Sequence, residues 1–424
     1  MAHWFHRNPI KASAPVSFES IRNIATNPSA SKILADLRQS RSRLLSLLTD
    51  PANETTSIQN ACGLYFSLLV GLVNDPGGAG DSKLRKLIVF KWTNSICGNT
   101  PTCEADSVFE LMSMCMNIAL WYTKHAAKVA AKEDISMEEA KEVHSCLRTA
   151  GGLFQFVKDS LLPRLGNISA EKGADVDTRV IEAYRMQCVA EAQEVTVARA
   201  VELKHKASLI SSLANETASL FTSAGDSLKS VEPSKAGKWR KYLELKASFY
   251  LAYARCFQGE LLLEAEECGN AIKTLQESQK SYEKAETLCK EYASIKGPGT
   301  TARPQEHPFF KRIGPLMRTR LEKATRENGF IYFHKIPAEP PELEMKATFG
   351  LASPQEFNLP APFSLWTDAY AGFDVSKAQP PKVNTDSLSL PCSSNLHAVH
   401  AGSILRAYPQ LSLFDMTFFS PLPR

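Results

Sequence analysis

From Asp106 to about Tyr292 the sequence keeps a helical period almost without interruption, and that run commits the chain to a mainly α architecture. A helix is predicted over residues 107–131, with Phe109, Met112, Met116, Leu120 and Trp121 on its buried side. Ser136 and Glu139 then have capping-box spacing, in which serine and glutamate side chains satisfy each other's backbone amides at a helix start. That helix is predicted to run through Val143, Leu147, Phe154 and Leu161 to a break at Pro163. Another is predicted over about 176–203 and, after a break at 205–208, one more from 209 to about 221. Residues 239–292 read as a tetratricopeptide-type hairpin, with Tyr250, Ala254, Gly259 and Leu262 on one helix and Ala271, Leu275, Ser278, Tyr282 and Ala285 on the next. Small residues at the crossing let such helices pack closely and stack on neighbours, which here must include less regular helices.

The flanks differ in kind. Residues 1–30, with Pro9, Pro15 and Pro28, are predicted to form an extended arm or short strand on the main body. Ile33, Leu34, Leu37, Leu44, Leu45 and Leu48 mark a helix from Ser31 that ends at Pro51, and residues 58–73 mark a second apolar segment. A turn follows at 74–78. Residues 83–93 are the most strand-like part, a small β element near the N-terminus, before a loop at 98–101. After a linker at 297–299, a helix is predicted over about 308–328, and residues 329–333 form an apolar run expected to pack back onto the body. Beyond Pro337 the chain is rich in proline, with Trp366 and Phe373 expected to anchor it. The expected organisation is one domain over 1–375, with its helical core at about 107–292, and a disordered tail over 376–424.

Composition narrows the function. A net charge of +4 on 424 residues offers no concentrated basic face, so nucleic acid is not an expected partner. The N-terminus lacks the apolar core of a secretory signal, and the best apolar stretch, around 64–73, is short and interrupted by Ser67 and Gly71. A soluble cytosolic chain is therefore expected, in which the Asn-x-Thr/Ser triplets at Asn53, Asn167 and Asn215 are chance. The ten cysteines contain no Cys-x-x-Cys pair, which points to free thiols acting as small hydrophobes.

Catalytic constellations are missing: there is no P-loop, no Gly-x-Gly-x-x-Gly and no Gly-x-Ser-x-Gly. His3 and His6, and His397 and His400, have metal-like spacing but no further ligands nearby, and read as surface histidines. Asp175-Val176-Asp177-Thr178 reads as a solvated helix start, and His125 and His144 as partly exposed. Glu138, Glu139, Lys141 and Glu142 look like a solvated helix face. Lys11, Lys32, Arg38, Arg41 and Arg43 form a basic concentration better explained by paired surface charge than by lipid contact. No enzyme, cofactor or metal is expected.

Ala192-Gln193-Glu194-Val195 in one long helix and Leu213-Ala214-Asn215 in the next resemble a helix pair of the Bro domain family, adaptors that bind ESCRT-III subunits. Asn328-Gly329-Phe330-Ile331-Tyr332 resembles that family's late apolar motif, and Ala150-Gly151-Gly152-Leu153-Phe154 an earlier helix. His3-Trp4-Phe5-His6-Arg7-Asn8-Pro9 and Lys238-Trp239-Arg240-Lys241-Tyr242 look closer to one branch of it. The resemblance covers approximately residues 1–375 and implies a curved, boomerang-like helical body with a tetratricopeptide-like core and a small sheet. It also implies binding of the C-terminal amphipathic helix of charged multivesicular body proteins, the ESCRT-III subunits, in a concave apolar groove.

Carried over by position, the groove's apolar patch falls on Leu209 and Leu213, one turn apart on one helical face. A third position, aromatic elsewhere in the family, falls on Thr196, and Met137, Glu138 and Lys141 align near the polar rim. The residues alone leave open that both leucines are core, whereas Ser208, Ser211, Ser212, Asn215 and Glu216 offer the polar frame that a helix-in-groove site needs. The resemblance implies recruitment to endosomal or nuclear-envelope membranes through partners. That branch of the family ends in a prenylated Cys-a-a-X box. This sequence ends Phe419-Ser420-Pro421-Leu422-Pro423-Arg424 with Cys392 far upstream, so no prenyl anchor is expected. Tyr332 matches a family kinase target, although its apolar neighbours favour a packed side chain. The alternative reading is a tetratricopeptide-type scaffold for a different cytoskeletal or nuclear-membrane partner.

Overall fold

A computed structural model of the chain describes residues 4–16, 18–132, 135–166, 168, 171–343, 347, 350–379 and 381. Among the described residues, nine long helices, three four-residue helices and two short strands follow the sequence in order: α1 (Glu19–Arg22), α2 (Pro28–Leu47), α3 (Thr55–Val73), β1 (Phe90–Thr93), β2 (Pro101–Glu104), α4 (Ser107–Ala130) and α5 (Met137–Phe156). Then come α6 (Leu162–Leu165), α7 (Thr178–Glu202), α8 (Ala207–Ser227), α9 (Pro233–Glu264), α10 (Cys268–Ser294), α11 (Pro308–Glu327) and α12 (Trp366–Ala369). The chain divides into a compact unit ending at Pro391 and a second unit, Cys392–Arg424, that lies outside the described residues together with most of the expected tail. Helices α4, α5, α7, α8, α9, α10 and α11 stack in sequence order, each on its predecessor or the next but one, so the helical run read from the sequence is the body of the fold.

Local chemistry explains most boundaries. Ser136 and Glu139 form the expected reciprocal capping box of α5. Asp106 and Asp177 cap α4 and α7 with their carboxylates. Pro28, expected to break a helix, instead opens α2: Asn27 accepts the Ala30 amide at 2.7 Å, and proline at a first helical position forfeits no hydrogen bond. Nor does Pro163 end its helix. A π turn at Val157–Leu161 widens the backbone, so that Pro163 falls in the first turn of α6, and the run stops at Gly166 with φ 67°.

The sheet is smaller than expected. Residues 83–87 are turns, because Arg85 is drawn to Asp106 at 2.8 Å and to Asp81 at 2.5 Å, and only Phe90–Thr93 is a strand. Its antiparallel partner, Pro101–Glu104, begins where a loop was predicted, with Phe90 opposite Glu104. Among the described residues α3 is, by length and composition, apolar enough to cross a membrane, contrary to the expectation that no stretch would be. Here it is a core helix whose Tyr65, Phe66, Leu69 and Leu72 are sealed between α2 and α4.

The N-terminal arm is extended as predicted, but its polar residues are core, not surface. Trp4 meets Tyr242, Phe249 and Phe310 edge-on at 5.8–6.0 Å, and Lys246 of α9 lies 3.7 Å from its ring centre. His6, read as a surface histidine, is 1% exposed and bonds Tyr292 at 2.9 Å and Asn8 at 3.1 Å. Lys11 pairs with Asp175 at 3.0 Å, and Arg41 with Glu110 at 2.8 Å, all four sealed; Lys32, Arg38 and Arg43 alone are the exposed part of that basic cluster. Asp175 is therefore not a solvated helix start: it accepts both the amide and the hydroxyl of Ser95. His125 is likewise buried, bonded to the Pro51 carbonyl and Glu142 at 2.8 Å and stacked on Trp121, whereas His144 is half-exposed as expected. The physical reason is common to all: each charge finds a partner on a distant segment, which sequence spacing cannot show.

Past α11 a π turn at Asn328–Tyr332 reverses the chain. Asn328 bonds the backbone of His334 in both directions, and this turns Phe330, Ile331 and Phe333 outward. The expected packing of this run onto the body is thus not found; Tyr332 is half-buried. The described parts of the proline-rich segment that follows, 337–343, 347 and 350–363, lie on the helices as a strap. Arg255 and Gln258 donate to the carbonyls of Pro341 and Glu342, Gln193 holds Gly350 and Ala352, and Arg148 holds Ser353 and Gln355. Phe357 sits against Phe66 and Phe156, and Trp366 donates to the Leu68 carbonyl at 2.9 Å, an anchor with Phe373 as anticipated. A proline-rich segment has few amides with which to pair as a strand, so the helices supply its partners through side chains and, at Arg148 and Ser67, through backbone carbonyls.

Two outcomes test this arrangement. Burial pushes the His6 imidazole from 6.5 down to about 3, so the unfolded chain takes up a proton that the folded one refuses. Stability should be full above pH 6.5 and fall as pH drops toward about 3, by at most about 1.4 kcal/mol per pH unit for this group. Urea titrations of His6→Asn should show a flatter curve in that window, with the remaining slope belonging in part to His144, which burial holds at about 4; an unaltered slope would refute the assignment. Secondly, a β-carbon on Gly152 would stand 1.7 Å from the Gln355 carbonyl oxygen. Gly152→Ala should therefore lift the strap from α5 and speed hydrogen exchange of the Gln355 amide by about tenfold or more. Wild-type protection at Gln355 would show that the contact does not hold the strap.

Candidate partner-docking site

Helices α5, α7 and α8 pack side by side, and the strap shows that they share one face. Within Gly350–Gln355, backbone groups meet Arg148 of α5, Gln193 of α7 and, by proximity, Leu213 of α8. The residues assigned by resemblance are distributed over these same helices. Leu209 and Leu213 lie one turn apart on α8, Thr196 lies one turn beyond Gln193 on α7, and Met137, Glu138 and Lys141 occupy the first turns of α5. Lys141 precedes Arg148 by two turns, on the same side of α5.

Exposure separates them. Leu209 is half-buried and packs against the core, Thr196 and Met137 are half-buried, and Glu138 and Lys141 are exposed. Leu213, expected as an open anchor, is 1% exposed. It belongs to the core cluster, and the strap passes directly beside it: a β-carbon built on Gly350 would stand 3.6 Å from Leu213 Cδ2 and 3.4 Å from Thr196 Cγ2. The polar frame also differs from expectation. Ser211 donates to the Ala254 carbonyl at 2.8 Å and Ser212 to the Ser208 carbonyl at 3.0 Å, so both hydroxyls are turned into the backbone. Asn215 and Glu216 instead line an open groove of about 890 Å³ between α8, α9 and α10.

Charged side chains line that groove, several of them paired: Lys241 bonds Glu244 and Glu291 at 3.0 and 2.9 Å, and Lys229 bonds Asp226 at 2.7 Å. No group of three or more potential metal ligands occurs among the described residues. The nine described cysteines are free, and burial raises the Cys62, Cys146 and Cys289 thiols to about 12, which suits packing and not nucleophilic work. Cys392, His3, His397 and His400 lie outside the described residues.

Sequence reasoning singled out Gln193 as part of a motif but missed its task. It is fully buried, donates to the Gly350 carbonyl at 2.9 Å and accepts the Ala352 amide at 2.6 Å. A glutamine on the apolar side of a helix was the available signal, since a buried amide must find partners. Which segment supplies them, over 150 residues away, is settled only by the fold.

The BRO1-like domain family model matches residues 19–371. The chain is 53% identical over 379 residues to BRO1 domain-containing protein BROX of Homo sapiens, covering 89% of this chain and 92% of that protein. It is 42% identical over 416 residues to the BROX homolog of Caenorhabditis elegans, covering 95% and 96%. Among solved structures, the ALIX BRO1 CHMP4C complex matches with TM-score 0.68 at 18% identity, over 86% of this chain and 99% of that one. A crystal structure of ALIX with the SIVmac239 PYKEVTEDL late domain matches with TM-score 0.67 at 19% identity, over 87% of this chain and 51% of that one. With a family match spanning most of its length and relatives this similar end to end, the chain belongs to the BRO1-like domain family.

Proposed function

We propose that this chain is a non-enzymatic adaptor that receives the C-terminal amphipathic helix of an ESCRT-III subunit, a charged multivesicular body protein, on the face shared by α5, α7 and α8. The observation that carries the reading is the gathering of Leu209, Leu213, Thr196, Met137, Glu138 and Lys141 onto three adjacent helices. The BRO1 fold it shares with an ALIX domain solved with CHMP4C supports the same reading. Leu209 is the accessible apolar anchor, and the opposite charges of Glu138 and Lys141 sit at the rim, where they tune register more than affinity. Such an adaptor works in the cytoplasm and reaches endosomal or nuclear-envelope membranes through its partners, for membrane remodelling.

A second reading has its own observation. Phe330, Ile331, Phe333 and Ile336 are 80%, 63%, 73% and 44% exposed, an apolar cluster suited to a different scaffolded partner, cytoskeletal or at the nuclear membrane. Titration of an ESCRT-III C-terminal peptide separates the two. Leu209→Asp should weaken binding by about 30-fold, the loss of roughly 2 kcal/mol expected at a central anchor, with helicity unchanged. An unaltered Kd would reject the face, and partners retained by Leu209→Asp but lost on Phe330→Ser would favour the scaffold.

A further inference from the structure

We propose that the strap is a built-in competitor for the docking face: Gly350–Ala352 covers Leu213 in the free chain, and a partner helix gains this anchor only by lifting it. The inference rests on the adaptor reading above and concerns how that face is regulated.

The geometry is local. A helix-in-groove interface needs exposed apolar anchors on a rigid scaffold, yet Leu213 is 1% exposed and its neighbour Leu209 only partly so. The cover is backbone, because Gly350 has no side chain and its φ of +78° is a conformation that other residues rarely adopt. Thr196 is short enough to admit it, with Cγ2 in van der Waals contact with the space a β-carbon on Gly350 would fill. A bulkier residue at Thr196 would push the strap away.

The fastening is as telling as the cover. One buried side chain, Gln193, clamps both sides of Leu351, through the Gly350 carbonyl and the Ala352 amide, while Leu351 itself is 52% exposed. The firm attachments lie to either side, at Arg255 and Gln258 and at Arg148 and Gly152. The covering residues can therefore rise without detaching the strap from the body. Two ordinary hydrogen bonds bias such an equilibrium by about ten- to a hundredfold, so the open form is a minor population and apparent affinity is lowered by that fraction.

The test is titration of a labelled CHMP4C C-terminal peptide against the full chain and two variants. Gln193→Leu removes the clamp from within the body. Ala352→Pro removes one bond from the strap alone, and keeps the test open if a buried substitution at Gln193 impairs folding. Ala352→Pro should bind about three- to tenfold more tightly than wild type and Gln193→Leu about ten- to a hundredfold, and the Ala352 amide of the wild-type chain should exchange faster in the saturated complex. Equal or weaker binding by folded variants, or an Ala352 amide that stays protected in the complex, would overturn the proposal while leaving the docking face in place. Failure of the peptide to bind wild type and both variants removes the adaptor reading, and the competitor with it.

Discussion

Two carboxylates in the middle of α7, Glu191 and Glu194, are sealed from solvent and have their cations on other segments. Arg7 of the N-terminal arm pairs with Glu191 at 2.8 Å, and Tyr242 and Gln187 each donate to that carboxylate at 2.7 Å. Lys246 of α9 meets Glu194 at 2.7 Å. Burial works against the Arg7 guanidinium, but Glu191 overcomes it; at Lys246 burial prevails over Glu194, and its affinity for the proton is lowered. A buried charge deprived of its partner costs about 3–5 kcal/mol, so arm, α7 and α9 are obliged to assemble together. The same helix carries Gln193, whose position between Glu191 and Glu194 is held by that network.

From this centre the proposed docking face follows. With α7 pinned to α9 and to the arm, α5 and α8 flank it, and Gln193 emerges where the strap passes. Glycine then sets how closely the strap can lie: Gly152 admits the Gln355 carbonyl, and Gly350 admits the strap over Leu213. In the proposed reading the face is partly closed by the chain itself, so that a few weak backbone contacts would set its affinity.

Much of the helical body was legible because its cues are local. The capping box at Ser136, the small residues at the α9–α10 crossing and the apolar period of α4 all act within one or two turns. The outward Phe330 and the short strand at Phe90 depart from the sequence reading for one reason: each is decided by a competing bond, to His334 or Asp106, that periodicity ignores. At the proposed docking face, motif resemblance at Gln193 and Leu213 singled out α7 and α8, but the strap beside them had no local signal.

By itself the amino-acid order determined the succession of helices, their caps and the family to which the chain belongs, since hydrophobic period and short motifs are properties of neighbouring residues. Only the tertiary structure decided that Arg7, Lys11 and His6 are core groups, and that Leu213 is hidden while Leu209 is not. Those outcomes depend on which distant segment supplies a counter-charge or a cover, and partners so far apart in the chain meet only after folding.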